Sequence, residues 1–207
     1  MDIGQFLHDT TIQVREQLIL VEGPNDENLF LAILRQEGLD DRCQVLHYRS
    51  AGELSNVLAL LVRDARFPAV RRIGLTRDSD NGAEAAIQSL SGAWKNARAE
   101  MEVLNIEMPA PFFFALPDNR TKGRIEDICL RSVSGTANLL CAQEMLECAL
   151  ASGIGPRDRE KALVAAYLSI MESPGLPLGV GAQRGYWKLE SDAFRPLREF
   201  VRLVAST

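Results

Sequence analysis

The sequence predicts an α/β fold: a four-stranded, mainly parallel sheet flanked by helices, with a helical extension on its C-terminal side. Three features predict it. Short runs that are apolar throughout alternate with stretches of helical periodicity, the pattern of strands buried on both faces. Glycines and prolines punctuate the joins between them. Beyond Arg124 only helical patterns remain. The resulting boundaries are an α/β core over residues 1–131 and a helical extension over residues 132–207, packed on that core.

The first strand is the run 17–21, ending in Glu22-Gly23. Pro24 stands where a helix begins, because its missing N–H costs nothing at the first helical position. Apolar residues then recur at helical spacing from Asn28 to Leu34, and Gly38 stops the pattern. A second strand covers 44–47. Ser50 and Glu53 have the spacing of a capping box, opening a helix to about Ala65 that Phe67-Pro68 breaks. The third strand, 72–76, runs directly into Arg77-Asp78-Ser79-Asp80-Asn81-Gly82. A helix from about Ala83 to Met101 follows, then a fourth strand at 112–116. Four further helices are expected near 124–131, 136–151, 157–172 and 193–204, with a loop at 173–179 between the last two.

Composition narrows the functional classes. The chain has 28 Asp plus Glu against 23 Lys plus Arg, a net charge of −5, which argues against a basic groove that saturates phosphates. Its four cysteines form no C-x-x-C pair and it has only two histidines, so structural zinc is disfavoured. Cys141 and Cys148, seven residues apart in an apolar helix, read as small buried hydrophobes. No uninterrupted apolar run reaches the length of about 18 residues that a membrane helix needs, and the first residues lack a signal-peptide pattern. A cytoplasmic protein is expected.

The acids are not scattered evenly. Ligands in parallel α/β sheets gather at the carboxyl ends of strands, and three strands end in acids there: Glu22, Asp78 with Asp80, and Asp118. In an extended segment residues i and i+2 point the same way, so Asp78 and Asp80 can face one hard cation. Mg2+ (or Mn2+) accepts two or three carboxylates and keeps waters. Helix capping is the competing reading of Asp-Ser-Asp-Asn-Gly. A calcium loop of EF-hand type is disfavoured, because Gly82 comes at the fifth place and Ser89 stands at the twelfth.

Leu18-Ile19-Leu20-Val21-Glu22-Gly23 with Asp26-Glu27, together with Arg77-Asp78-Ser79-Asp80-Asn81-Gly82, resembles the Toprim domain of topoisomerases, primases and small nucleases. Pro117-Asp118-Asn119, Gly123 to Ile128, and Gly185-Tyr186-Trp187 are similar to a bacterial group of small Toprim-like proteins of unknown function. The resemblance implies that Glu22 acts as general acid or base, or as a metal ligand. It implies that Asp78 and Asp80 hold Mg2+, and that Asp26, four residues past Glu22, serves the same site as in one class of Toprim nucleases. Asp118, Glu126 and Asp127 are candidates for a second metal, with helix-dipole pairing as the competing reading of the last two. No tyrosine has the context of a topoisomerase nucleophile, so hydrolysis without a covalent intermediate is the expected chemistry.

Arg77, Lys122 and Arg124 are candidates for phosphate binding, against ordinary ion pairing with the same acids. The leading expectation is a Mg2+-dependent phosphodiester hydrolase that touches nucleic acid (DNA or RNA) weakly. The alternative is a non-catalytic module that binds metal, nucleotide or a protein partner in a defence or repair assembly. Leu139, Leu140, Leu146 and Leu150 either form a homodimer face or cover the sheet.

Overall fold

A computed structural model describes residues 15–50, 52–153 and 155–206. Among them the chain forms β1 (Gln17–Val21), α1 (Pro24–Glu37), β2 (Cys43–His47), α2 (Leu54–Arg63), β3 (Arg72–Asp78), α3 (Ala83–Leu104) and β4 (Ala110–Leu116). The helices α4 (Ile125–Ser132), α5 (Ala137–Ala151), α6 (Arg159–Ser169), α7 (Leu178–Gln183) and α8 (Arg195–Ala205) follow. The four strands lie in the order β2-β1-β3-β4, and every pair is parallel.

Alternation along β1 sets the two layers. Leu18 and Leu20 point to one face, where they join Leu46, Ile73 and Leu75 under α2 and α3. Ile19 and Val21 point to the other, where they meet Leu29, Phe30 and Ile33 of α1. Three parallel crossovers thus place two helices on one face and a single helix on the other. The bare half of that second face is covered by α8. Leu197, Phe200, Val201 and Val204 are buried there, and the Phe200 ring lies 4.9 Å from Phe114 and 6.4 Å edge-on from Phe30. Gly74 of β3 makes room for it: a Cβ at that position would stand 2.8 Å from Phe200 Cζ and 3.0 Å from Val204. The final helix is therefore a layer of the sheet's own sandwich. Trp187 anchors the approach to it, stacked 4.8 Å from Tyr167 and donating from Nε1 to the Leu178 carbonyl at 3.0 Å.

Several local expectations are corrected. The Ser50–Glu53 capping box does not form: α2 starts at Leu54, Glu53 takes the cap position without a side-chain bond, and its amide donates to the Ser50 carbonyl. The backbone turn satisfies the end that the side chains were expected to satisfy. Residues 178–183, assigned in part to a loop, form α7, because Gly179 lets its backbone rest on the first turn of α1. Cys43 and Cys129 are buried, but Cys141 and Cys148 are exposed. They lie on the outer side of α5 with Leu140 and Met145, which are 52% and 51% exposed, while Leu139, Ala142 and Leu146 face inward. Apolar residues recur on every side of α5, with Glu144 and Glu147 interspersed among them on the outer side, so the apolar pattern alone does not separate the covered face from the open one.

Candidate functional site

The chain visits β2 on one side of β1 and then returns to β3 on the other, so the strand order reverses between β1 and β3. At such a switch point the flanking connections part and leave a crevice at the carboxyl edge. Glu22 follows β1 directly, and Asp78 is the last residue of β3, which runs two residues further than expected. Glu22, Asp78 and Asp80 line one cavity of about 280 Å³, with Arg77 and Ser89 on its wall.

Two loops bring further acids to this edge. The Gly23 amide donates to Asp26 Oδ2 at 3.1 Å, the reciprocal bond of a capped helix start, and this turns Asp26 inward until it is buried. At α4 the Arg124 amide donates to Asp127 Oδ2 at 2.7 Å in the same way, which leaves the neighbouring Glu126 facing the acids. The β4–α4 loop is tied to β3 by Ser79. This fully buried serine donates its amide to the Gly123 carbonyl at 3.0 Å, and its hydroxyl accepts from the Gly123 amide at 3.0 Å and reaches the Thr121 carbonyl at 2.9 Å. The D-x-D spacing by itself assigns Ser79 no role. Its small side chain between two acids was the available signal for a buried tether.

The electrostatics of the cluster are unfavourable as it stands. Burial pushes Asp78 up to about 8, and the charges of Asp26, Glu126, Glu22 and Asp80 push the same way. Burial pushes Asp26 up to about 7 against its backbone hydrogen bonds, with Glu22 and Glu126 adding to the rise. Glu126 is also raised, first by burial, although Lys161 and Arg124 oppose it. Among the described residues Asp26 Oδ1, Asp78 Oδ1 and Glu126 Oε2 are buried with no hydrogen-bond partner. Each such acceptor costs about 1–3 kcal/mol unless something else satisfies it. Tyr48 adds nothing nucleophilic: its hydroxyl donates to the Thr76 carbonyl at 2.8 Å, and burial, with the Glu22 charge behind it, keeps the phenol protonated.

These shifts have a sign that can be tested. In the native state Asp26 and Asp78 keep protons that the unfolded chain releases near the ordinary 3.8. The stability linked to them is complete below that value and is lost as pH rises through about 7 and about 8. In a chelator-treated sample, the melting temperature is expected to fall by several degrees between roughly pH 5 and pH 8.5. A flat profile across that window would mean that the two acids are not desolvated together.

Of the remaining sequence candidates, Asp118, Asp127 and Lys122 stand apart from the buried carboxyls, while Arg77 and Arg124 border them. Asp118 is spent on its own turn, accepting from the Arg120 and Thr121 amides at 3.0 and 2.8 Å and from the Thr121 hydroxyl at 2.9 Å. Burial opposes its ionisation, but the Thr121 and Arg120 bonds outweigh burial and hold it below the usual carboxylate range. Asp118 borders a different groove, along β4 and α8. Asp127 caps α4, as the helix-end reading has it. Arg77 donates to Ser89 Oγ and stays on the cavity wall. Arg124 is taken up by acids, bonding both Asp80 and Asp158. Lys122 is exposed.

The donor set fits a cation in part. Three orphaned carboxylate oxygens are hard acceptors without donors, the kind of group a divalent ion takes as a ligand. Among the described residues, however, no group of three or more His, Cys, Asp or Glu side chains stands as a ready ligand set. Two carboxylates with waters and a phosphate oxygen are the coordination this edge can offer. Among the described residues no helix is long and apolar enough to cross a membrane.

Comparison with curated proteins and with solved structures returned no match. A family model does match, over residues 16–205, which takes in all four strands and all eight α-helices described above. By that match the chain belongs to the family described as protein of unknown function (DUF3226).

Proposed function

We propose that the protein is a Toprim-like, divalent-cation-dependent hydrolase of phosphodiester bonds in nucleic acid. The observation that carries this reading is the set of unpartnered oxygens on Asp26, Asp78 and Glu126, buried at the switch point beside Glu22. Carboxyl groups crowded in low dielectric either keep their protons, as Asp26 and Asp78 do in the metal-free protein, or ionise against an external charge, and a divalent cation supplies that charge. When bound, Mg2+ or Mn2+ would polarise a phosphoryl oxygen and lower the pKa of water.

The chain's own residues would do the rest. Asp78 with Asp26 or Asp80 holds the ion. Glu22, bordering the same cavity, takes the proton from the attacking water or returns it to the leaving oxygen. Arg77, held by Ser89 in the same cavity, donates to phosphate oxygens. The net charge of −5 fits brief contact with substrate better than tight, salt-sensitive binding.

Single- and double-stranded DNA and RNA should each be incubated with the purified protein and Mg2+ or Mn2+. Cleavage that chelator removes, and that Glu22→Gln lowers by about 10²–10⁴-fold, is the expected result. Absence of cleavage of all four substrates would overturn the catalytic reading. One observation favours a second, non-catalytic reading: Asp80, half of the D-x-D pair, is neutralised by Arg124. Calorimetric cation binding without turnover is the signature of that reading.

A further inference from the structure

The Arg124 guanidinium joins two parts of the chain that lie far apart in sequence. Its Nε donates to Asp80 in the β3–α3 loop, and its Nη1 donates to Asp158 Oδ2 at 2.5 Å. Asp158 is the N-cap of α6, and its other oxygen, Oδ1, accepts from the Lys161 amide at 3.0 Å. One carboxylate therefore holds both the start of a C-terminal helix and an arginine of the acid site. The arginine leaves a fixed backbone, since its own amide is bonded to Asp127. The direction in which its side chain reaches is therefore set by Asp158 and Asp80 between them.

We infer that Asp158 is a positioning residue for the carboxylate site: it holds Arg124 against Asp80 as a built-in counter-cation, which a divalent ion must displace to gain Asp80. This rests on the cation-binding reading above and adds a control to it. The contact is suited to exchange. The Asp80 side chain is 55% exposed, so its pair with Arg124 is screened and weak, whereas Arg124 and Asp158 are 32% and 30% exposed and hold each other on the drier side. Displaced from Asp80, the guanidinium stays tethered to Asp158 at the rim, where a phosphate oxygen can replace the lost carboxylate. The Gln183–Asn28 and Gly179–Asn25 bonds, which tie α7 to α1, involve no carboxylate of the cluster directly.

The test uses Mn2+ alone, titrated into the full chain and read by calorimetry or electron paramagnetic resonance. Asp158→Asn keeps the helix cap, because Asn caps as well as Asp, but loses the ion pair. Removing a carboxylate should weaken cation binding if charge alone mattered. Positioning predicts the opposite sign: Asp158→Asn tightens Mn2+ binding about two- to five-fold, the range of an exposed ion pair. Arg124→Gln tightens it at least as much, and adding Asp158→Asn to Arg124→Gln changes nothing further. Weaker or unchanged binding in Asp158→Asn, or an equal effect in the Arg124→Gln background, overturns the inference and leaves the cation site standing. No Mn2+ binding by the wild type or any variant overturns the cation site and the inference with it.

Discussion

Asp78→Asn is expected to abolish Mg2+-dependent cleavage and, in the same molecule, to raise the melting temperature of the metal-free protein at about pH 8. The two effects have one cause. Asp78 carries a buried, unpartnered oxygen and a carboxyl pushed up to about 8 by burial and by four neighbouring acids. Asparagine removes the repulsion and supplies an NH2 donor to the acids around it. Relief of an unsatisfied buried acceptor is worth about 1–3 kcal/mol, a rise of roughly 2–12 °C for a chain of this size. The gain should shrink near pH 5, where the wild-type carboxyl is protonated. Loss of a carboxylate that fixes the ion should cost several kcal/mol of transition-state stabilisation, about 10³-fold in rate. Thermal melts in chelator and a cleavage assay check both. A lower melting temperature with cleavage intact would show that Asp78 is structural.

Gly179→Ala is expected to be the most damaging small substitution away from the acids. A Cβ there would overlap the Asn25 carbonyl oxygen and stand 2.7 Å from Asn28 Cβ. The obstacle is backbone in the first turn of α1, which cannot swing aside as a side-chain tip can. Overpacking of this kind costs about 3 kcal/mol or more, roughly 6–12 °C here. It reaches the site because the same turn holds Asp26 through the Gly23 amide, so Mn2+ affinity should fall together with stability. Gly92→Ala is the control. That glycine lies within α3 with no atom near its missing Cβ, and alanine there should stabilise by about 0.5–1 kcal/mol. Equal melting temperatures for Gly179→Ala and the wild type would mean that α7 does not press on α1.

Individual residues show why part of the site was legible and part was not. Glu22 and Asp78 could be read because each closes a strand-like run, 17–21 and 72–76, and a strand end is a local property. Asp26 could be read only through the resemblance, since its burial depends on a cap bond that turns it inward. Asp118 and Asp127 look equivalent to Glu126 in sequence. Asp118 binds its own turn, and between Asp127 and Glu126 a difference of one residue decides which carboxylate caps the helix and which faces the cluster. The role of Asp158 has no local sign, because its partner lies 34 residues away. The exposure of Cys141 and Cys148 is not legible locally, because apolar residues recur on the outer side of α5 as well as the inner, with Glu144 and Glu147 between them.

The sequence by itself determined the four strands, the helices between them, the α/β class and the acids at the strand ends. All of these follow from periodicity and from the chemistry of neighbouring residues. Tertiary structure alone decided that β1 and β3 are neighbours at the reversal of strand order, which converts two strand-end acids into one site. It also decided that α8 completes the sandwich over Gly74, and that Arg124 stands between Asp80 and Asp158. Strand order, helix docking and ion-pair choice depend on contacts between residues distant in sequence, which local periodicity does not encode.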